Sequence, residues 1–241
     1  MLENNTDIEV KNVSKVFDNK KAVENATFAV KKGTIHGFIG PNGAGKSTIL
    51  NSICGLVVFN EGEIFVENKS VLEDSSFNVN LGYIESEPNF PEDLAVIDYL
   101  ENFVAYLRDV PFEEFKEKFN SSSLVDFKEK KCTDLSTGWK RILQFFSLSI
   151  YKPRIIVADE PFNGLDPTFR KKLMNSFIKC KEEGRTVIIS THILNDLQVL
   201  ADDITMIKEG KVVYSGPKKE NIEELYEEFY IKKDTEKDFS F

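Results

Sequence analysis

Residues 40–48, "GPNGAGKST", follow directly on the apolar run "TIHGFI" and lead into "STILNSICGL". No other stretch limits the fold as strongly. Gly40, Gly43 and Gly45 lack a Cβ, so the backbone can adopt positive φ and turn its N–H groups inward. "IHGFI" reads as a buried strand, and Ile49, Leu50, Ile53, Leu56 and Val57 fall on one helical stripe. Strand, glycine loop and helix in this order match the phosphate-binding pattern G-x-x-x-x-G-K-[ST]. A plain glycine turn with a surface lysine would need neither flank. The loop N–H groups and the helix dipole are expected to hold polyphosphate, with Lys46 on the β/γ oxygens and Ser47 on magnesium. Asn42, Gly43, Gly45 and Thr48 complete the expected nucleotide contacts.

Around this loop the chain alternates strand-like and helix-like texture. "IEVKNVSKVF", "ATFAVKKG" and "TIHGFIG" read as strands separated by turns such as "DNKK"; "GEIFVENKSV" and "VNLGYIE" add two more. Residues 91–152 carry helical periodicity in "LAVIDYLENFVAYL", "PFEEFKEKF" and "WKRILQFFSLSIY", broken at "NSSSL". Strands return in "RIIVAD", "TVIIST" and "DITMIKEG", spaced by the helical "FRKKLMNSFIKCKEEG" and "ILNDLQVLA". The alternation implies an α/β fold with a mostly parallel, covered sheet and an inserted helical lobe. A net charge of −9 argues against a nucleic-acid surface, and no apolar run approaches the ~20 residues of a membrane span. The start "MLENNTDIEV" lacks the features of a signal peptide, and Cys54, Cys132 and Cys180 have no metal-ligand spacing, so a reducing, cytosolic setting is expected.

Further polar groups cluster at predicted strand ends. "RIIVADEP" closes on Asp159 and Glu160, adjacent carboxylates that are costly unless a cation or substrate uses them. Asp159 is placed to hold magnesium and Glu160 to orient or deprotonate water. "IISTH" ends on His192, a candidate γ-phosphate sensor, and "FNGLDP" carries Asp166 in a tight loop. In "DLSTGWKRI", Ser136 and Gly138 open an apolar helix and offer a second anion-binding N-terminus. A single nucleotide rarely needs both, so this one is expected to serve the nucleotide of a second subunit.

With these stretches in order, residues 8–216 resemble the nucleotide-binding subunit of an ATP-binding cassette (ABC) transporter. "GPNGAGKST" is similar to the family's Walker A, "IIVADEP" to Walker B, "LSTGWK" to the signature, "NGLD" to the D-loop and "STH" to the switch. The resemblance implies a P-loop, RecA-like core, an antiparallel β lobe and a helical lobe. It also implies a head-to-tail dimer, of identical or different subunits, around two ATP–Mg²⁺, with Asp166 among the residues that bind the nucleotide at the shared site. A separate transmembrane permease would be driven from the cytoplasmic face of the plasma membrane. Phe17 resembles the aromatic residue that stacks on adenine.

Two departures stand out. Thr137 and Trp139 replace a glycine and the glutamine of the usual signature; bulkier signatures of this kind resemble those of multidrug, bacteriocin and antibiotic exporters, which favours export. The glutamine expected to contact Mg²⁺ after "GYI" is replaced at the usual spacing by Ser86, with Glu85 and Glu87 within a one-residue slip. A soluble ABC-type assembly ATPase, of the iron–sulfur cluster assembly kind, is the alternative reading. The ATPase domain is expected over residues 1–216, followed by an amphipathic helix and tail over 217–241. Ile222, Leu225, Tyr226, Phe229 and Tyr230 form the apolar stripe of that helix.

Overall fold

Apolar runs with no polar face can form strands only inside a sheet covered on both sides, and β3 (Ile35–Ile39), β7 (Ile155–Asp159) and β8 (Thr186–Thr191) are buried at every position. The computed structural model of the chain describes residues 5–107 and 110–230. The amino-terminal strands are β1 (Thr6–Phe17), β2 (Lys20–Lys31), β4 (Glu61–Val66), β5 (Lys69–Ser70) and β6 (Leu81–Ile84); β9 (Asp203–Lys208) and β10 (Lys211–Pro217) come late. The helices are α1 (Lys46–Ile53), α2 (Val96–Leu107), α3 (Phe112–Asn120), α4 (Thr137–Tyr151), α5 (Pro167–Glu182), α6 (Leu194–Leu200) and α7 (Ile222–Tyr230).

The central sheet runs β10-β9-β3-β8-β7-β6. Its five inner and far strands are parallel, and β10 is an antiparallel edge on β9. A second, antiparallel sheet, β2-β1-β4-β5, covers one face. Side chains alternate between the faces: Phe38, Ile155, Val157 and Ile188 meet α1 and the second sheet, whereas Ile39, Ile156, Ala158 and Ile189 meet α5, α6 and α7. Helices α2, α3 and α4 pack a third core of their own around Leu100, Phe115, Phe119 and Leu143. This is the expected α/β architecture, with an antiparallel lobe and an inserted helical lobe. Among the described residues no helix is long and apolar enough to cross a membrane.

Several local readings change. Helix α1 stops at Ile53 because Gly55 adopts a left-handed φ of 72°. Leu56, expected on its stripe, is therefore exposed, and Val57 is only half-buried. Strand β2 begins at Lys20, since Asp18 and Asn19, both at positive φ, make a two-residue hairpin turn. Glu67 and Asn68 do the same and split "GEIFVENKSV" into β4 and β5. "VNLGYIE" becomes a strand only at Leu81, because Ser75–Asn80 form a 3-10 turn. Strand β10 adds an antiparallel edge beyond the strands that the sequence pattern predicts. Helix α7 lays Ile222, Leu225 and Tyr230 into the core, and the Tyr230 phenol donates to the Ile207 carbonyl at 2.7 Å, with the Ile39 carbonyl at 3.3 Å. Residues 231–241 of the expected tail lie outside the described residues.

One buried group gives the fold a pH dependence. His36 on β3 bonds Thr205 through Nε2 at 2.8 Å, and its Nδ1 has no hydrogen-bond partner among the described residues. Burial lowers its pKa from 6.5 to about 4, opposed by Asp203 and assisted by Lys31. The unfolded chain thus takes up a proton between these values that the folded chain refuses. The contribution to stability is complete above pH 6.5 and is lost as pH falls towards 4. Urea midpoints measured from pH 7 to 4 should fall less steeply for His36→Gln than for the unmodified chain. Parallel declines would remove His36 from this role.

Candidate nucleotide site

Three adjacent parallel strands, β3, β8 and β7, end together, because Ile39 pairs with Thr191 and Asp159 with Ser190. The glycine loop leaves β3, the two carboxylates close β7 and His192 follows β8. In the loop, Gly45 caps α1 at φ 106°, and a Cβ there would meet the Ala22 carbonyl at 2.5 Å. Above Gly43, at φ 77°, a Cβ would meet nothing within 4 Å, so its backbone faces open space. Lys46 is buried; its ammonium donates to the carbonyls of Gly40 at 2.8 Å and Pro41 at 3.2 Å.

The same ammonium lies 3.2 Å from Glu160 Oε1, close enough for an ion pair but off hydrogen-bond geometry. The other oxygen, Oε2, is 3.0 Å from His192 Nδ1. Glu160 holds a φ of 45°, unusual for a residue with a side chain, and its N–H is fixed by the Ser190 carbonyl and hydroxyl. The Ser190 hydroxyl also donates to Asp159 Oδ1, while Asp159 Oδ2 is buried with no hydrogen-bond partner among the described residues. A cavity of about 190 Å³ is lined by Ala22, Asn42, Gly43, Gly45, Lys46, Ser47, Thr48 and Glu160. Larger open grooves of about 770 and 800 Å³ lie below the helical lobe and beside α7, away from these groups, so size alone does not select the site.

The structure therefore gathers the loop residues, Asp159, Glu160 and His192. It does not bring Phe17, Ser86, Ser136, Gly138 or Asp166 to this cavity. Phe17 is exposed at the end of β1 with the Lys15 ammonium 4.6 Å from its ring centre. Ser136 occupies the N-cap position of α4 with its hydroxyl unused as a cap, and Gly138 is buried against Phe169. Asp166 caps α5 instead, accepting from Thr168 at 2.8 Å and Phe169 at 3.2 Å. Ser86 lies exposed beside Glu85 and Glu87, lining a groove with Asn51, Leu56 and Tyr83.

Two residues carry more than the sequence reading assigned. Trp139 packs on Phe127 and Phe169, with ring centres 4.4 and 5.2 Å away, and so fastens the start of α4 to the start of α5. Arg141 is 1% exposed; it donates to the carbonyls of Glu85 and Ser86, to Gln144 at 3.3 Å and to the Glu160 carbonyl at 3.5 Å. Burial lowers its pKa, and Asp159 with Tyr83 and Glu160 opposes that. Its position with Gly138 and Leu148 on one face of α4 was the available signal: a cation on a buried stripe needs partners.

The donor set suits magnesium. Among the described residues no cluster of three or more His, Cys, Asp or Glu could chelate a metal. A hard cation bound here would share its shell with hydroxyl, water and phosphate oxygens, as magnesium does. The orphaned Asp159 Oδ2 is an acceptor that such a shell would satisfy.

The cap assigned to Asp166 can be measured directly. Asp166→Ala should destabilise the chain by about 1 kcal/mol and Asp166→Asn by a few tenths, as read by urea unfolding. Equal stability of the alanine variant would remove the cap.

A family model described as ABC transporter matches residues 23–163. An uncharacterized ABC transporter ATP-binding protein of Methanocaldococcus jannaschii is 33% identical over 213 residues, covering 87% of this chain and 77% of its own. The lantibiotic transport ATP-binding protein SrtF of Streptococcus pyogenes is 33% identical over 224 residues, covering 91% and 95%. The solved ATP-binding subunit of an ABC transporter superposes with a TM-score of 0.81 at 25% identity, covering 93% of each chain. A further fold match, at 24% identity with a TM-score of 0.78 over 89% of this chain and 99% of the other, is a dimeric ATP-binding cassette holding ADP and Pi after hydrolysis. The chain belongs to the ABC transporter family, as an ATP-binding ATPase subunit.

Proposed function

We propose that the chain hydrolyses ATP as the motor of an exporter: two such subunits close around two ATP–Mg²⁺ and drive a separate membrane subunit from the cytoplasmic face. The observation that carries this reading is the meeting of Lys46, Glu160 and His192 beside the glycine loop, at the ends of three adjacent strands. Export is favoured by the near full-length similarity to a lantibiotic transport subunit.

In this reading the loop N–H groups from Asn42 to Thr48 bind the phosphates, and Lys46 exchanges its loop carbonyls for β/γ oxygens. Phe17 stacks on adenine. Ser47 and Asp159 would hold the magnesium ion, which neutralises phosphate charge when bound, with Ser86, Glu85 or Glu87 at the loop after β6. Glu160 accepts a proton from the attacking water as the bond between γ-phosphorus and ADP breaks. His192, bonded to Glu160 through Nδ1, leaves Nε2 for the γ-phosphate. Ser136 offers its unused hydroxyl, and Gly138 the helix N-terminus, to the nucleotide of the partner subunit. Asp166 is read among the nucleotide-binding residues of the shared site, and its carboxylate also caps the start of α5.

Two outcomes follow from these roles. Glu160→Gln should lower turnover about 10²- to 10⁴-fold while ATP binding persists and the dimer accumulates; Lys46→Ala should weaken binding itself. Nucleotide binding and size-exclusion chromatography with ATP–Mg²⁺ distinguish them, and undiminished turnover in Glu160→Gln would remove its role as base. Next, Ser136→Ala and Lys46→Ala proteins, each impaired, should regain partial ATPase activity when mixed, because one of the two composite sites is then intact. A mixture no better than its parents across a concentration series overturns the sandwich.

A further inference from the structure

We propose that Arg141 is a positioning residue that couples the loop after β6 to the backbone of Glu160 and so helps orient its carboxylate. The proposal rests on the reading of Glu160 as the group that activates water.

Arg141 stands one turn into α4, yet reaches back to the end of the central sheet. One terminal nitrogen donates to the Glu85 carbonyl and to Gln144; the other donates to the Ser86 carbonyl and lies 3.5 Å from the Glu160 carbonyl. A single planar group thus joins two successive carbonyls of one loop to the backbone of a residue in another. Among the described residues, the hydrogen bonds between Glu85 or Ser86 and α4 all come from this guanidinium, whereas the later part of the loop joins the helical lobe through Phe90, the Lys131–Asp93 pair and the Cys132 N–H to the Leu94 carbonyl. Glu160 sits at a φ of 45°, a backbone state that persists only when its surroundings fix it. Ser190 fixes the N–H side of that residue, and Arg141 fixes the carbonyl side.

Burial of the cation argues that the link is more than packing. Arg141 is almost wholly enclosed, and its close acceptors are carbonyl and amide oxygens rather than a carboxylate in direct contact. Such an arrangement is expensive, and an apolar side chain would fill the same space at lower cost. What the guanidinium adds is geometry: a rigid fork that holds several acceptors at fixed angles, which a lysine ammonium cannot reproduce. Because the first turn of α4 carries Gly138 behind its N-cap Ser136 and Arg141 follows one turn on, a shift of this helix would move Glu85, Ser86 and the Glu160 backbone together. Orientation of the water-activating carboxylate would then depend on how α4 sits.

The test separates positioning from folding and from binding. Arg141→Lys and Arg141→Ala are compared with the unmodified chain by single-turnover ATP hydrolysis, ATP titration and thermal unfolding. Turnover should fall at least ~10-fold in both variants, the scale expected when a reacting group is misplaced by a fraction of an ångström, while KM for ATP changes less than about threefold. Adding millimolar methylguanidinium should restore part of the turnover of Arg141→Ala, and methylammonium should not. Unchanged turnover in Arg141→Lys overturns the proposal, as does a lowered turnover that tracks a matching loss of ATP binding or of folded protein without rescue. Glu160→Gln is measured alongside: normal turnover there would sink the reading of the site, whereas normal turnover confined to the Arg141 variants would sink this inference alone.

Discussion

A parallel sheet buried on both faces leaves its charged side chains one place to go. Along β3, β7 and β8 every residue is enclosed, so charged groups collect where the strands stop and the chain turns. The register then fixes which ends meet: Ile39 beside Thr191, and Asp159 beside Ser190. Lys46, Glu160 and His192 are brought into one chain of contacts by that alignment rather than by any local sequence feature. Change the register by one residue and the two faces exchange, so Asp159 no longer stands beside Ser190 and the chain of contacts is broken. The positive φ of Glu160 belongs to the same economy, since it turns the side chain out of the sheet plane while Ser190 keeps the backbone attached.

The groups that sequence reading recovered are those whose cost is visible in one dimension. Gly43 and Gly45 announce a backbone needing positive φ, and the pair Asp159–Glu160 after an apolar run announces a polar end. Hidden residues depend on distant partners. Asn19 and Asn68 adopt left-handed conformations that let two-residue hairpins form where longer turns or unbroken strands were expected. The exposure of Leu56 follows from Gly55 ending α1 a turn early. Asp166 looked like part of a nucleotide loop and is also a helix cap, since the proline after it begins α5. Trp139 looked like a departure at a phosphate-contacting motif, but its ring belongs to a cluster with Phe127 and Phe169. Arg141 is legible only once α4 is laid against the loop after β6.

Around the start of α4 the two kinds of contact divide the labour. Trp139 joins the helical lobe to α5 through apolar area, a contact tolerant of small sliding. Arg141 joins the same helix to Glu85, Ser86 and Glu160 through directional bonds that tolerate little. Aromatic packing thereby keeps the lobe attached, and the guanidinium reports its position to the central sheet. Residues outside the nucleotide cavity thus bear on what happens inside it.

Strand order has a consequence for how the molecule comes into being. The glycine loop belongs to the first fifth of the chain, but β3 is flanked by β8 and β9, which are made only in the last quarter. Until those strands emerge, the loop has no sheet to hang from, and its neighbours must be found across long stretches of intervening polypeptide. Tyr230 extends the delay, because its phenol closes on the ends of β3 and β9 from a helix that follows both. A growing chain would carry its phosphate-binding motif for most of its synthesis without a scaffold able to use it. Nucleotide affinity is therefore a late-acquired property, arriving with the carboxyl-terminal strands and helix rather than with the motif itself.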